Sequence, residues 1–322
     1  MHHFRAVAAA VLAAGLAASA AQAETYPSRP VKLVVPYAAG GTGDIVARAV
    51  ADRLGLALGQ SVVVENRAGA TGAIGTQSVA ASAPDGHTLL VGQTGEIAIN
   101  PHWSKGIGYD PDRDLLPVAL ATIVPLALVV PGKASYGTVA EMLKVAHGRD
   151  LTFASAGTAT PGHFAGEMLK FKSKANLTHV PYKGAAPALS DLLGAHVDMF
   201  FSGFPAAVPH VKAGNLKLLA VSSGKRSGVA PEVPTVAEAA GIAGFDIALW
   251  QGFFAPRGTP SEVVTRLNAE INKILKEPEI KQKLLEQGAD VSPMAVDQFA
   301  AFAKAEIAKF QAIINEAGLK PE

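Results

Sequence analysis

The sequence of 322 residues contains no cysteine and only two tryptophans. Because cysteine is absent, the chain can form no disulfide bond, offers no thiolate to a metal ion and has no cysteine for lipid attachment. Excess positive charge is also absent, since 28 lysines and arginines stand against 27 aspartates and glutamates. A neutral chain lacks the basic surface that binds nucleic acids and anionic membranes. We therefore expect no nucleic-acid partner.

Several catalytic and cofactor motifs are missing as well. The chain has no G-x-S-x-G nucleophile motif and no G-K-[ST] of a phosphate loop. Its nine histidines are scattered, without the H-E-x-x-H or H-x-x-x-H spacing of a zinc site. We therefore predict no metal, no cofactor and no catalytic residue.

The first 23 residues have the pattern of a secretory signal peptide. A short basic start from Met1 to Arg5 precedes a run of small apolar residues, and an A-x-A cleavage site ends at Ala23. The apolar run is too short to span a bilayer. The mature protein is therefore expected to be soluble and extracytoplasmic, most simply periplasmic.

A second apolar stretch runs from Leu115 to Pro131. Pro117, Pro125 and Pro131 divide it into the pieces VALATIV and LALVV. Proline lacks the amide hydrogen that a helix or a central strand uses. We therefore predict two short strands here rather than a membrane span.

The stretch VPYAAGGTGD, residues 35–44, joins a predicted strand to a predicted helix. The preceding VKLVV is rich in β-branched residues, and the following DIVARAVADRLGLAL repeats apolar residues at helical spacing. Glycines let a ligand approach bare backbone, and the unpaired amides and dipole at a helix start favour an anion. The stretch therefore predicts an anion-binding loop.

A dinucleotide is one alternative for this anion. The next strand, SVVVEN, ends in Glu65 about where a dinucleotide-binding fold places its acidic residue. However, Val46 stands where G-x-G-x-x-G has its third glycine. Since free NAD is scarce outside the cytoplasm, we favour a smaller anion. A purely structural turn is the other alternative.

Strands, glycine-rich loops and helices alternate along the chain, which is typical of parallel sheets covered by helices on both faces. The pattern restarts after the proline-rich stretch, and the chain ends in helices that need a sheet to cover. The predicted fold class is α/β with two lobes, each a mainly parallel sheet flanked by helices, and a ligand cleft between them. Lobe 1 comprises residues 24–125 and 246–322, and lobe 2 comprises residues 126–245. At least two strands should link the lobes.

The ends of three elements are predicted from local signals. A helix after KASYGT should be capped by Ser135 or Thr138. A later helix should begin at Pro260, and a strand should span Phe245 to Trp250.

The order of these motifs resembles that of a known family. The segments that carry the resemblance are YPSRPVKLVVPYAAGGTGDIVAR, VVVENRAGATGAIG, SAPDGHTLLVG, SAGTATPGH, HVPYKGAAPALSDLLGAHVDMFF, PEVPTVAEAAG and WQGFFAPRGTP. From about Tyr26 to the C-terminus, they resemble the extracytoplasmic receptors of tripartite tricarboxylate transporters, often called Bug proteins. The resemblance implies a two-lobed periplasmic binding protein with a small carboxylate in its cleft and membrane carrier subunits as partners.

The resemblance also implies which residues face the ligand, because glycine-rich loops hold the carboxylate in that family through backbone amides and hydroxyls. In the first lobe these residues would be Tyr37, Ala38, Gly40, Gly41, Thr42, Ala70, Thr71 and Gly72. In the second lobe they would be Ser155, Gly157, Thr158, Thr160, Tyr182, Lys183, Gly184 and Ala185, with Asp198 and Phe204 as further candidates. Helix starts can bind a carboxylate in this way without an arginine.

Alternatives stay open for several side chains. Lys183 either pairs with a second carboxylate or is solvated, and Asp198 either faces the cleft or caps a turn. Phe204 is a candidate for the wall of the cleft. Asp44 is expected to cap its helix or brace the glycine loop, and His163 either orients a hydroxyl or is packed.

The leading hypothesis is a monomeric periplasmic receptor for a di- or tricarboxylate, an acidic amino acid or an aromatic acid. An alternative is a secreted α/β enzyme that acts on a carboxylate or an ester. For that role Ser155 precedes a glycine turn, but the sequence assigns it no acid and no base. A third hypothesis is a sensory protein that serves a histidine kinase.

Overall fold

A computed structural model describes residues 26–182 and 184–320. The predicted signal peptide and Lys183 lie outside the described residues, so the predictions made for them stay predictions. No helix in the described ranges is both long enough and apolar enough to cross a bilayer.

The strands of the described residues form one connected network of hydrogen bonds. They are β1 (Val31–Val35), β2 (Val62–Asn66), β3 (Thr88–Gln93), β4 (Leu115–Pro131), β5 (Leu151–Ser155), β6 (Leu177–Pro181), β7 (Met199–Gly203), β8 (Leu216–Val221), β9 (Ala248–Pro256) and β10 (Asp290–Val291). Their order is β2-β1-β3-β9-β4-β7-β5-β6, and β8 and β10 also pair with β4.

Helices connect most of these strands and cover the sheets. The α-helices are α1 (Thr42–Leu58), α2 (Ala73–Ala80), α3 (Asn100–Trp103), α4 (Pro111–Asp114), α5 (Val139–Gly148), α6 (Pro161–Ser173), α7 (Ala185–Leu193), α8 (Phe204–Lys212), α9 (Val236–Ala240), α10 (Ser261–Leu275), α11 (Pro278–Glu286) and α12 (Val296–Glu316). A 3-10 turn (Ala70–Gly72) precedes α2, and a π-turn (Gly95–Ile99) precedes α3. Thr138, rather than Ser135, caps α5, and α10 begins directly after Pro260.

The apolar stretch from Leu115 to Pro131 is one continuous strand, so the prediction of two strands is wrong. Its prolines are tolerated because each lies where the ladder can spare a hydrogen bond. Pro117 lies at a shift in the pairing with β9, Pro125 ends that pairing, and Pro131 is the last residue of the strand.

Because it is continuous, β4 belongs to both sheets. Residues 115–125 pair with β9, whereas residues 126–131 pair with β7 and β8. The chain crosses back between β8 and β9, where the Ile247 amide donates to the carbonyl of Ser222 (2.9 Å).

The strand β9 starts and ends later than the predicted strand from Phe245 to Trp250. Its residues pair with β3 on one side and β4 on the other, and this tertiary pairing carries the strand on to Pro256. Phe245 instead stacks against Phe201 in the core, with ring centroids 6.1 Å apart.

The directions of the strands determine where their connecting loops lie. Strands β1 to β3 are parallel to one another, as are β5 to β7, whereas the crossing strands β4 and β9 are antiparallel to their neighbours. Because β9 is antiparallel to both β3 and β4, strands β1 to β3 are parallel to β4. Strands β5 to β7 are antiparallel to β4. The carboxyl ends of both sets therefore point toward the middle of β4.

The register of the pairing locates this meeting point. Gln93, the last residue of β3, is level with Gln251 of β9 and through it with Thr122 of β4. Gly203, the last residue of β7, is level with Leu126. The two levels are separated by about 13 Å along β4, at roughly 3.3 Å per residue. The molecule is therefore a two-lobed α/β protein in which the loops after both sets of parallel strands lie toward the middle of β4.

Candidate functional site

Asp44 holds the glycine loop after β1 in place. Its buried carboxylate accepts hydrogen bonds from the Gly40 amide (2.9 Å), from Asn66 Nδ2 (3.0 Å) and from Arg48 Nε (3.0 Å). The hydrogen bonds from the Arg48 guanidinium lower the pKa of Asp44 below its usual value. Asp44 therefore braces the loop, which is one of the two roles predicted for it.

Among the helix starts without a side-chain cap, two follow predicted ligand loops, one in each lobe. Helix α1 begins after Gly41 and α7 begins after Gly184, and neither start receives a side-chain hydrogen bond. Gly184 has a φ of +112°, a conformation that favours glycine. By contrast, Thr160 caps α6 by accepting from the His163 amide (3.4 Å). The first-turn amides of α1 and α7 are therefore available to bind an anion.

The turn after β2 is strained and needs support. Every residue from Gly69 to Gly72 has a positive φ, including Ala70 (46°) and Thr71 (51°). Such a backbone costs about 1–3 kcal/mol for each residue that is not glycine. The Thr71 carbonyl accepts from Asn100 Nδ2 (2.9 Å) and lies 3.2 Å from Tyr37 Oη. These contacts fix the turn beside the glycine loop.

A fully buried carboxyl group, that of Glu96, lies beneath both loops. Glu96 Oε1 accepts from the Gln93 amide (2.6 Å), and Oε2 lies 2.8 Å from Tyr37 Oη. The Glu96 carbonyl accepts from Tyr109 Oη (2.7 Å). Burial raises the pKa of Glu96 to about 8 and raises the pKa of Tyr37 well above its usual value. The Tyr37 hydroxyl is thus engaged inside the protein, which leaves the ring and main chain of Tyr37 for a ligand.

Three polar side chains that the sequence does not single out lie across the middle of the sheet. Thr122 Oγ1 donates to Gln251 Oε1 (2.5 Å), and Gln251 Nε2 lies 3.5 Å from Gln93 Oε1. The side-chain amide of Gln93 reaches the start of α1, where a Cβ on Gly43 would lie 2.8 Å from Gln93 Nε2. A polar path therefore leads from the crossing strands to the first helix start. The sequence signals this path only by a glutamine within an otherwise apolar strand, because a buried side-chain amide needs a hydrogen-bond partner.

In lobe 2, the loop after β5 rests on Ser155. The Ser155 hydroxyl oxygen lies 2.7 Å from His179 Nε2, 2.9 Å from the Gly157 carbonyl and 3.2 Å from the Gly157 amide. The Ser155 hydroxyl has one proton, which it can donate either to the Gly157 carbonyl or to His179 Nε2, depending on the tautomer of His179. In either case these contacts brace the loop after β5.

Two stacked histidines continue this support. His179 and His163 have ring centroids 4.1 Å apart, and His163 Nδ1 accepts from the amide of Ala159 (3.2 Å), whose φ is positive. Burial lowers the pKa of His163 to about 3 and that of His179 to about 4, so both rings are neutral at pH 7. His163 is therefore a packed residue that positions the loop. In the part of the chain that the structure describes, no three His, Cys, Asp or Glu side chains are grouped as a metal site requires.

Two further contacts join the loops after β5 and β6. The Tyr182 amide donates to the Ser155 carbonyl (3.0 Å), and the Gly184 amide donates to the Ala156 carbonyl (3.0 Å). Thr160 Oγ1 donates to the Gly157 carbonyl (2.7 Å), so this hydroxyl is already engaged. The candidate residues with exposed surface are Ala38, Gly40, Gly41, Ala70, Thr71, Thr158 and Ala185.

The structure does not bring Asp198 and Phe204 to this site. Asp198 precedes β7, at the opposite end of the sheet, where its carboxylate accepts from the Thr152 amide (2.8 Å) and from Arg149 (3.1 Å). Phe204 follows β7, but its ring is 1% exposed and packs in the core of lobe 2. Of the roles proposed for Asp198, the structure supports the bracing of a turn.

Comparisons with known proteins agree with this architecture. Residues 46–319 match the family model described as the tripartite tricarboxylate transporter family receptor, TctC. Protein BugT of Bordetella pertussis is 36% identical over 313 residues, which cover 96% of this chain and 95% of that one.

Two solved structures are similar in both sequence and fold. The structure of Rhodopseudomonas palustris Rpa4515 with adipate is 36% identical, with a TM-score of 0.78 over 92% of this chain and 100% of that one. The structure of MatC (Rpa3494) from the same organism with bound malate is 34% identical, with a TM-score of 0.73 over 90% of this chain and 100% of that one. The predicted resemblance is confirmed, and the protein belongs to the TctC family of tripartite tricarboxylate transporter receptors, which includes the Bug proteins.

Proposed function

We propose that this protein is a monomeric periplasmic receptor that binds one small carboxylate between its lobes and delivers it to the membrane carrier subunits of a tripartite tricarboxylate transporter. The observation that carries the proposal is the pair of uncapped helix starts, α1 in lobe 1 and α7 in lobe 2. Support comes from Rpa4515 and MatC, whose structures contain adipate and malate, both dicarboxylates.

The two helix starts suit the two ends of a dicarboxylate. One carboxylate accepts hydrogen bonds from the first-turn amides of α1, beside Gly41 and Thr42. The other accepts from the amides that open α7, beside Gly184 and Ala185. Bonds from amides to an ionised carboxylate are roughly twice as strong as neutral ones. Closure of the lobes excludes water and strengthens them further. Lys183 remains a predicted partner of the second carboxylate.

Thermal unfolding in the presence of candidate acids tests this function. The panel contains adipate, malate, citrate, glutamate and benzoate, with adipamide as the matched uncharged analogue of adipate. One or a few acids should stabilise the protein by an amount that grows with the logarithm of their concentration and reaches about 2.7 kcal/mol at a concentration 100 times Kd. Adipamide should not, because its amide groups lack the charge that the helix starts attract.

The same samples separate a receptor from an enzyme. After prolonged incubation, NMR of the recovered ligand should show it unchanged. Stabilisation by none of the acids, or equal stabilisation by adipamide, would contradict the proposed function. Conversion of a bound acid or ester would support the secreted enzyme instead.

A further inference from the structure

We propose that Glu96 carries a proton when the carboxylate ligand is bound, and that this proton makes ligand affinity depend on pH. Glu96 acts here as a positioning residue, because it contacts the protein side of the ligand loops and does not contact the ligand. The inference rests on the proposed function and adds a proton to it.

Glu96 stands where three segments of the site meet. Its Oε2 contacts Tyr37 in the glycine loop, and its Oε1 holds the Gln93 amide at the end of β3. A Cβ on Gly72 would lie 3.2 Å from Oε2, so the strained turn also lies directly against the carboxyl group. A change in the charge of Glu96 therefore acts on all three segments at once.

The Tyr37 hydroxyl can form hydrogen bonds with both neighbouring oxygens at once only if Glu96 is protonated. The Tyr37 hydroxyl has one proton and faces two oxygens, Glu96 Oε2 at 2.8 Å and the Thr71 carbonyl at 3.2 Å. If Glu96 is ionised, both oxygens are acceptors and one must go without this proton. If Glu96 carries a proton on Oε2, it donates to Tyr37 Oη, and Tyr37 donates to the Thr71 carbonyl. A proton on Glu96 thus links the glycine loop to the strained turn.

The described surroundings of Glu96 provide no positive charge to stabilise its ionised form. The titratable groups that face it are Tyr37 and Tyr109, both neutral at pH 7. His102 on α3 is directed at the backbone of Ile307, and burial lowers its pKa.

The helix α12 also packs on the π-turn, but its charged groups are engaged elsewhere. Glu306 accepts from Trp250 Nε1 (3.0 Å) and pairs with Lys309. Lys304 lines a separate cavity beside Ile97. A buried carboxyl group without a counter-charge remains protonated to higher pH, in keeping with the pKa of Glu96 near 8.

Ligand binding should strengthen this preference. A bound carboxylate brings negative charge to loops that already lie against Glu96, and like charges favour the protonated form. Affinity should therefore be constant below the pKa of Glu96 in the free protein. Above it, affinity should fall by up to about tenfold per pH unit, because the ligand must then bind together with a proton.

Calorimetric titration of adipate, from about pH 7 to about pH 9.5, tests the coupling. In the wild type, Kd should rise by about three- to thirtyfold over this range. The Glu96→Gln variant keeps an NH₂ donor for Tyr37 and a carbonyl acceptor for Gln93 but has no carboxyl group to ionise, so its own Kd should change by less than about twofold between pH 7 and pH 9.5. The matched control is Glu65→Gln, which removes a half-buried carboxylate paired with Lys32 and Arg67. It should keep the wild-type pH profile.

A measurement without ligand distinguishes the failure of this inference from the failure of the proposed function. Infrared spectra of the wild type with isotope-labelled glutamate carboxyl groups should show a protonated acid band at pH 7 that belongs to Glu96 and disappears as the pH rises. The Glu96→Gln variant should lack this band. Adipate binding that is unchanged up to pH 9.5, or the absence of the band at pH 7, would overturn the coupling and leave the receptor function intact. If no acid binds the wild type at any pH, the proposed function fails and the coupling fails with it.

Discussion

At the scale of single residues, the site combines positions that the sequence reveals with positions that it hides. Glycine patterns identify the loops around Gly41 and Gly184, because glycine is favoured where φ is positive or where a ligand approaches the backbone closely. Glu96 and Gln251 show no such pattern. Their partners, Tyr37 and Thr122, lie 59 and 129 positions away along the chain. Only the folded sheet brings these groups together.

Asp198 and Phe204 are residues that the sequence suggests for the site but that the structure places elsewhere. Both flank β7, and the sequence alone does not say which end of the strand faces the ligand or which way a ring turns. The strand direction places Asp198 at the far end, and packing draws Phe204 into the core.

The stacked histidines predict how stability responds to acid. The pKa values of His163 and His179, about 3 and about 4, lie below the value of about 6.5 in an unfolded chain. As the pH falls below 6.5 the unfolded chain binds protons first. The stabilisation is therefore complete above pH 6.5 and is lost as the pH falls toward the folded pKa values. His163 contributes at most about 1.4 kcal/mol per pH unit, and His179 less because it is only half-buried.

Replacing His163 by glutamine should remove its share of this acid sensitivity. The glutamine oxygen can still accept from the Ala159 amide, so the loop should keep its shape. Urea unfolding at pH 7 and pH 5 should show that the wild type loses about 1–2 kcal/mol more than His163→Gln. His210→Gln, at a half-buried position outside the stack, should behave like the wild type. Identical losses in wild type and His163→Gln would refute this role.

At the scale of secondary structure, elements with local signals are predicted well. The apolar periodicity of α1 and the cap at Thr138 are both found in the structure. The existence of crossing strands is predicted but their extents are not, because those extents depend on the strands they pair with. Proline indicates a break in β4, yet β9, β7 and β8 pair around each proline and keep the strand continuous.

The packing of α6 on β5 depends on the absence of a side chain at Gly166. A Cβ at this position would overlap the ring of Phe153, which in turn stacks on His179 at 4.9 Å. Gly166→Ala should therefore destabilise the protein by about 1–3 kcal/mol, as expected for overpacking. The measurement is urea unfolding at pH 7.

Gly148 supplies a matched control, because its replacement by alanine should change the free energy of unfolding in the opposite direction. It is the last residue of α5, and nothing lies within 4 Å of a Cβ placed there. Gly148→Ala should stabilise the protein by up to about 1 kcal/mol, because alanine loses less backbone entropy in a helix. If both variants shift stability in the same direction, the close approach of α6 to β5 is not the determining factor.

At the scale of the whole molecule, Ser222 joins the strands that cross between the lobes. Its fully buried hydroxyl accepts from the Leu126 amide of β4 (2.9 Å) and donates to the Ile247 carbonyl just before β9. Its own amide donates to the Leu126 carbonyl (2.9 Å). One residue thus connects both passages of the chain at the level where the two sheets meet.

Removing this hydroxyl should loosen the junction. Ser222→Ala leaves the Leu126 amide and the Ile247 carbonyl without their partner and should cost about 1–3 kcal/mol of unfolding free energy. Hydrogen exchange at the Leu126 amide should accelerate well beyond the general loss of stability. The control is Ser223→Ala, whose hydroxyl donates only to the nearby Lys225 carbonyl (2.7 Å). Its Leu126 exchange should match the wild type, and equal exchange in both variants would argue against a junction at Ser222.

The unbroken run of β4 through both sheets limits how the halves of the molecule can move. Sliding one half along the other would shear every rung between β4 and its neighbours, whereas a small added twist spreads over many rungs. We therefore expect the two halves to move by a swivel about this shared ribbon. The membrane carrier of the proposed function would then sense a tilt between two surfaces and no change in their spacing along the ribbon.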